Sequence, residues 1–286
     1  MTGRATMKHL HGLRRLGRAI AILVGAALPV SGWSQEANLA PAAPDELRFS
    51  VTPYLFLPIS TTGTSTVAGG TADVELDLGD IFGALRFAGS LRAELWRGDL
   101  GLILDGYYVN LNSTSRFTLP GPLAGSVQAD ITTKQSWVTA MGAYRFAQGT
   151  MVDGMRFGAD GYAGVRWNSL RQEVDASVDI GPGPGIQRSL GGTETWWEPV
   201  IGVRGAVQVA PEWTLGARAE LGGFGVNGSD LQWNVLAGAD YAPWENASLK
   251  IGWQFYGIDF STNRSDGRFA YDVLQTGPYL GGTFNF

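Results

Sequence analysis

The chain ends on the sequence LQTGPYLGGTFNF, residues Leu274 to Phe286, in which residue character alternates with a period of two. The more apolar face carries Leu274, Thr276, Pro278, Leu280, Gly282, Phe284 and Phe286. The other face is polar or small, apart from Tyr279. A strand with this pattern suits lipid on one side and a polar interior on the other. Because the alternation recurs along most of the chain, the sequence predicts an all-β fold, a closed antiparallel transmembrane β-barrel.

Ten segments show strand alternation, an even number that places both chain ends on the periplasmic side. They are Arg48–Pro58, Arg86–Arg97, Leu100–Asn112, Gln128–Phe146, Met155–Val174, Glu194–Val209, Glu212–Val226, Leu231–Tyr241, Ala247–Phe260 and Phe269–Phe286. Short turn-rich connections alternate with mostly longer ones, which include residues 59–85 and the Gly181–Gly185 loop. A barrel of eight strands is the alternative if two segments merge or drop out.

The first 34 residues have the pattern of a secretory signal peptide. Lys8, Arg14, Arg15 and Arg18 precede the apolar run from Ala19 to Leu28, and Gly32 to Ser34 form a cleavage-like site. This apolar run is about half the roughly 20 residues that a spanning helix needs. We therefore divide the chain into a signal peptide, 1–34, and a barrel domain, 35–286.

The charge balance argues against nucleic acid as a partner. The first 34 residues hold five of the 21 basic residues and none of the 26 acidic ones, which leaves 16 against 26 and a net charge of −10. Such an acidic chain repels phosphate backbones. The chain contains no cysteine, which excludes disulfides and thiolate metal sites.

Charged residues recur on the face of each predicted strand that lies opposite the apolar one. A lysine or arginine facing lipid at mid-depth costs roughly 2–4 kcal/mol, so these residues are expected to face the lumen. The predicted lumenal charges are Arg86, Arg92, Glu94, Asp105, Arg156, Asp160, Arg166, Glu198, Arg204, Arg218, Glu220, Asp240 and Lys250. Ten strands enclose little more than side chains can fill. Either the charges pair and hold the barrel shut, or they line a narrow conduit.

Aromatic residues near the predicted strand ends are expected to form girdles at the two membrane interfaces. They include Trp96, Trp137, Trp196, Trp213, Trp233, Trp244 and Phe286.

Histidine chemistry is not expected in the barrel, because His9 and His11 both lie within the first 34 residues. This argues against histidine-dependent catalytic triads and histidine metal sites, and we predict neither an enzyme nor a cofactor. Asp73, Glu75 and Asp77 share one face of an extended segment and suggest a divalent cation. Leu78 stands where a calcium loop needs glycine, so solvated loop carboxylates are the simpler interpretation.

Several motifs resemble those of a largely uncharacterised family of Gram-negative outer-membrane β-barrel proteins. They are TPYLFLP at 52–58, DLGDIF at 77–82, WEPVIGVR at 197–204, GGFGV at 222–226 and the ending from Tyr271 to Phe286. The resemblance implies an outer-membrane barrel and no agreed activity. Where the family often has an aspartate after the tryptophan pair, this chain has Glu198.

Taken together, these patterns predict a monomeric barrel in the cell outer membrane with a structural or loop-mediated interaction role. The alternative is a narrow porin-like channel for small solutes. The expected partners are outer-membrane lipids, lipopolysaccharide and the barrel assembly machinery, for which terminal Phe286 resembles an assembly signal. Whether residues 71–85 fold into the lumen as a plug is left open by the sequence.

Overall fold

The structure, a computed structural model, describes residues 47–119, 125–180, 186–265 and 267–286. The predicted signal peptide, residues 1–34, and the predicted loop at residues 181–185 lie outside these ranges. The strands of the described ranges are β1 Leu47–Phe56, β2 Ser60–Val67, β3 Gly70–Leu76, β4 Leu85–Arg97, β5 Leu100–Leu119, β6 Gly125–Thr150, β7 Arg156–Ile180, β8 Ile186–Ala210, β9 Trp213–Val226, β10 Ser229–Tyr241, β11 Ala247–Arg264 and β12 Gly267–Asn285. One helix, α1, spans Leu78–Ala84 within the described ranges.

Ten strands of the described chain close into an antiparallel ring. Strand β1 pairs with β4 on one side and with β12 on the other, and each strand from β4 to β12 pairs with the next. The predicted closed barrel of ten strands is therefore confirmed. Closure satisfies every strand edge in the membrane, where no water is available to bond an exposed backbone group.

The predicted alternation of faces is also observed. On the last strand Leu280 and Phe284 are exposed, whereas Gln275, Tyr279 and Thr283 are buried in the lumen. The outward face of β7 is apolar up to Trp167 and then continues as Ser169, Arg171, Glu173 and Asp175. The lipid-facing band therefore ends near Trp167 on this strand.

Strands β5 to β8 continue far beyond this band. Strand β6 has 26 residues, which at about 3.3 Å per residue and a tilt near 40° rise roughly 65 Å, against a band roughly 25 Å tall. The upper parts of these four strands form an extracellular sheet, here called the β-extension: 112–119, 125–133, 171–180 and 186–195.

Residues 59–85, which were predicted to be a loop, contain regular structure instead. Pro58 has no N–H to donate, and it separates β1 from β2, although both strands bond to β12. The N–H groups of Leu57 and Ile59 donate to the carbonyls of Pro278 and Thr276, at 3.1 and 2.9 Å. Gly277 allows this close approach, because a Cβ there would lie 1.9 Å from the Leu57 carbonyl oxygen.

Residues 71–85 lie in the wall of the extracellular end, where β3 pairs with β2 and α1 lies beside β3 and β5. Asp77 and Asp80 form a capping box at the start of α1: the Asp77 carboxylate accepts from the Asp80 N–H at 3.0 Å, and the Asp80 carboxylate accepts from the Asp77 N–H at 3.3 Å. The acidic run thus ends a strand and begins a helix. Within the described ranges, no three histidine, cysteine, aspartate or glutamate side chains are placed to hold a metal ion.

The predicted aromatic girdles are wrong for three tryptophans. Trp96, Trp137 and Trp196 are buried in the lumen, because their register places them on the inward face. Trp213, Trp244 and Phe286 are exposed, as a girdle requires.

Removing the terminal residue is expected to impair folding, because Phe286 helps to close the ring. Its N–H donates to the Phe49 carbonyl at 2.8 Å, its carbonyl accepts from the Phe49 N–H at 3.3 Å, and the two rings lie 5.8 Å apart. Deletion of Phe286 loses these bonds and the ring, whereas Phe286→Ala loses only the ring. We expect a lower folded fraction by heat-modifiable gel mobility, with deletion the more severe.

The matched control is Phe82→Ala, which removes an exposed aromatic ring from the extracellular helix α1. It should fold in full yield. Equal yields for all four proteins would show that Phe286 has no part in closure.

Candidate functional site

Charged side chains are concentrated in the lumen, which is therefore the candidate functional site. Inward positions of neighbouring strands fall in register, so that Arg92 on β4 faces Asp105 on β5 and Arg166 on β7 faces Glu198 on β8. Alternation and register together therefore bring these opposite charges side by side at the same height.

Nine side chains form a connected cluster across the lumen, here called the charge layer. All but Arg204 are buried, and their ion pairs and hydrogen bonds link one side of the ring with the other. The members are Arg92, Glu94, Asp105, Arg145, Asp160, Arg166, Glu198, Arg204 and Glu220.

Arg166 is the centre of the upper part of the charge layer. Its Nη2 donates to Glu220 at 2.7 Å, its Nη1 to Glu198 at 3.4 Å and to Gln232 at 3.1 Å, and its Nε to Thr139 at 3.1 Å. All three nitrogens of the guanidinium group are therefore used. Glu198 in turn accepts from Trp196 at 3.3 Å and from Ser229 at 2.5 Å.

Arg204 spans the lumen from β8 to β4. Its two terminal nitrogens bind both oxygens of Glu94 at 2.6 and 2.8 Å, and its Nε donates to Asp160 at 2.7 Å. A forked pair of this kind fixes geometry as well as charge. Both carboxylates also have a second arginine, since Arg92 lies 2.7 Å from Glu94 and Arg145 lies 2.8 Å from Asp160.

Eight of the predicted lumenal charges belong to the charge layer, and five lie elsewhere. Asp240 and Lys250 are cross-strand neighbours that form a separate ion pair nearer the periplasm. Arg218 lies over the ring of Tyr279, with 5.9 Å to the centroid. Arg156 begins β7 at the periplasmic end and is half-buried.

Arg86 is the predicted charge that the structure places outside. It lies at a register shift between Leu85 and Phe87, and it is exposed near the extracellular end of β4. A bulge breaks the alternation from which its inward direction was predicted.

Arg145 belongs to the charge layer although the sequence analysis missed it. It is buried, its Nε donates to Asp160 at 2.8 Å, and its guanidinium carbon lies 5.0 Å from the centroid of the Trp96 ring. The sequence did contain a signal for its inward direction, because its neighbours Tyr144 and Phe146 are aromatic and face outward. A cation held between a carboxylate and a ring face is stabilised by both.

A second layer of lumenal side chains, here called the aromatic layer, lies on the extracellular side of the charge layer. Its buried aromatic members are Phe56, Tyr107, Trp137, Trp196, Tyr256, Phe260, Phe269 and Tyr271. The rings of Tyr107 and Trp137 stack at 4.0 Å, and those of Trp196 and Phe260 at 3.9 Å. Sequence reasoning missed this layer because it assigned two of these tryptophans to the interfaces.

The two layers are joined by the polar atoms of aromatic side chains. Tyr54 donates its hydroxyl to Asp105 at 2.9 Å, and the Trp137 indole donates to the same oxygen at 3.3 Å. Buried tyrosine and tryptophan need such partners, and buried carboxylates need such donors. The two layers therefore form one continuous packed and hydrogen-bonded core in the lumen.

Above the aromatic layer, the upper strands on opposite sides of the barrel contact each other. Arg264 on β11 pairs with Glu194 on β8 at 3.1 Å, and Ser65 on β2 donates to Gln172 on β7 at 2.8 Å. Val67 and Val74 pack against the aromatic layer from β2 and β3. These contacts cover the extracellular end of the lumen.

Comparisons with solved structures find similar architecture at low sequence identity. No protein-family model matches the chain, and no curated protein does. The family resemblance of the quoted motifs therefore stays a prediction. Within the described residues, no helix is long and apolar enough to cross a membrane.

Several solved structures are similar along most of their length. The outer-membrane protease OmpT of Escherichia coli is 11% identical, with 85% of this chain and 97% of that chain covered and a TM-score of 0.47. Neisserial surface protein A is 15% identical, with 83% and 97% covered and a TM-score of 0.31. The attachment invasion locus protein Ail of Yersinia pestis, solved with a heparin analogue, is 12% identical, with 84% and 99% covered and a TM-score of 0.31.

The protein is an integral β-barrel of the bacterial outer membrane. Its closed ring, apolar outer band and polar lumen are the features that such a barrel requires. Identities this low transfer no residue's role from one chain to another.

Replacing Arg166 is expected to destabilise the barrel more than replacing Arg204. Arg166→Met leaves Glu198 with no basic partner among the described residues, and stranding a buried charge costs about 3–5 kcal/mol. After Arg204→Met, both of its carboxylates keep a second arginine, so we expect a loss of about 1–3 kcal/mol. The free energy of unfolding in urea measures both.

Arg171→Met is the matched control, because Arg171 pairs with Glu173 at 2.7 Å on the β-extension, where both side chains are partly exposed. Its loss should cost about 0–1 kcal/mol. If all three variants unfold alike, the lumenal charges are solvated individually and the charge layer is not a paired core.

Proposed function

We propose that this protein is a closed barrel that anchors the β-extension in the outer membrane, and that it acts through contacts of that extension rather than through transport. The observation that carries the proposal is the occlusion of the lumen by two successive layers, one of paired charges and one of packed aromatic rings. An ion that entered from outside would have to displace the aromatic layer and then break ion pairs in a low dielectric.

The β-extension supplies the surface for such contacts. It rises above the lipid-facing band, and Arg171, Glu173 and Asp175 on its outer face are polar. Strands are exposed to lipid only where their outward residues are apolar, so this surface belongs among polar headgroups and saccharides. Lipopolysaccharide is the partner that we propose for it, and we propose that the barrel is a monomer.

A narrow channel is the second candidate, and the charged cavity below the charge layer favours it. This cavity reaches the periplasmic end of the lumen, whereas the aromatic layer closes the other end. An enzyme is the third candidate. Catalysis by histidine is ruled out in residues 35–286, and the charge-layer carboxylates are all engaged by arginines.

Planar-bilayer recording separates the first two candidates. The purified barrel is expected to give no steady unitary conductance in KCl at neutral pH, because both layers block hydrated ions. Reproducible, ion-selective steps from the unaltered protein would favour the channel and contradict the closed barrel. A porin reconstituted in the same bilayers confirms that insertion is detected.

The contact role is tested by shortening the β-extension at registered pairs. Asn112 faces Thr132, and Gln172 faces Gly192, so residues 113–131 and 173–191 can each be replaced by Asn-Gly, a sequence suited to a two-residue hairpin turn. The shortened barrel keeps both lumenal layers. We expect it to fold and to retain less purified lipopolysaccharide on gel filtration than the full chain does.

Equal retention by the full and shortened barrels would place lipopolysaccharide contacts on the lipid-facing band alone. That result would remove the β-extension from the proposed function while leaving the closed lumen untouched.

A further inference from the structure

Below the charge layer, the lumen contains a cavity of about 210 Å³. Its lower wall includes Ser248, Thr283 and Asn285, which lie next to the periplasmic turns. The charge layer forms its upper wall. Any solute in this cavity therefore enters and leaves on the periplasmic side.

The cavity wall carries more positive than negative charge. Its basic side chains are Arg92, Arg145, Arg204, Arg218 and Lys250, and its acidic side chains are Glu94, Asp160 and Asp240. The excess of two cations is local. In the part of the charge layer beyond the cavity wall, Asp105, Glu198 and Glu220 outnumber Arg166 by two and balance this excess.

Arg218 is the cation in this wall without a carboxylate. No ion pair joins it to any described acidic residue, and its Nε is a buried nitrogen with no hydrogen-bond partner among the described residues. Its guanidinium lies over the Tyr279 ring, which stacks on Tyr54 at 4.9 Å. The aromatic pair holds the side chain in place and leaves its donors unused.

The backbone register adds a second observation. Arg218 on β9 lies directly opposite Arg204 on β8, and like charges in that relation repel each other. Arg204 pairs directly with Glu94 and Asp160, whereas Arg218 has no described carboxylate within ion-pair distance and interacts with Glu220 and Asp105 only at longer range. Two further buried nitrogens of the same wall, Nη2 of Arg92 and Nη1 of Arg145, also have no partner among the described residues.

We propose that this cavity is a binding site for a small oxyanion from the periplasm, a carboxylate or a phosphate, with Arg218 as its main ligand. A guanidinium group binds both kinds of oxyanion through two parallel hydrogen bonds. An anion here relieves the repulsion between Arg218 and Arg204 and engages donors that the protein does not use. A cavity of about 210 Å³ has room for a group of that size.

Isothermal titration calorimetry of the folded barrel in a zwitterionic detergent tests the site. The probes are potassium phosphate and potassium succinate, with potassium chloride at matched ionic strength as the reference. We expect saturable binding of one phosphate or succinate per barrel. Arg218→Met should weaken it at least tenfold, and Arg218→Lys should weaken it less, because lysine keeps the charge and loses the fork. The control Arg171→Met, which alters an ion pair on the β-extension, should bind as the parent does.

Three results would overturn the site: no saturable heat with either probe, equal affinity in the parent and in Arg218→Met, or an identical response to chloride at the same ionic strength. Arg218 makes no ion pair, so Arg218→Met strands no carboxylate and is expected to fold, which heat-modifiable mobility checks. Phosphorus NMR of phosphate with the parent and Arg218→Lys provides a second test. Line broadening should occur with the parent and diminish in the variant, and its absence in the parent would reject the site.

Discussion

A charged side chain that faces the lumen of a narrow barrel loses contacts with water, and mainly the other lumenal side chains can replace them. The cost of burying it is offset only where an opposite charge and the remaining hydrogen bonds are in place. Arg166 meets this condition through Glu198, Glu220, Gln232 and Thr139, which come from four other strands. The pairing of lumenal charges therefore fixes how opposite sides of the ring face each other, beyond what the backbone ladder specifies.

The aromatic layer depends on the same constraint. Trp137 and Trp196 can be buried beside the charge layer because their indole nitrogens donate to Asp105 and Glu198. Above them the strands leave the membrane, and the outward face turns polar while the inward face stays packed. The barrel is thereby closed at its outer end and left with a cavity at its inner end, and both the proposed surface contacts and the proposed anion site depend on this asymmetry.

The sequence predicted the ring and most of the charge layer because both follow from a period of two. Alternation assigned Asp160, Arg166 and Glu198 to the lumen, where they are buried. It failed for Arg86, where a bulge interrupts the period, and for residues 59–85, where Pro58 and a capping box create elements too short for a pattern. Nor could it tell interfacial from lumenal tryptophans, because aromatic rings suit both environments and only the register separates them.

A double-mutant cycle on Arg166 and Glu198 tests the central claim, that the charge layer is a paired and largely dry core. The free energies of unfolding of the parent, Arg166→Met, Glu198→Gln and the double variant give the coupling between the two side chains. A paired core predicts a coupling of about 2–3 kcal/mol that changes little between low and high salt, since buried pairs are weakly screened. A coupling near zero, or one that vanishes in high salt, would mean that water fills the lumen and would contradict the account.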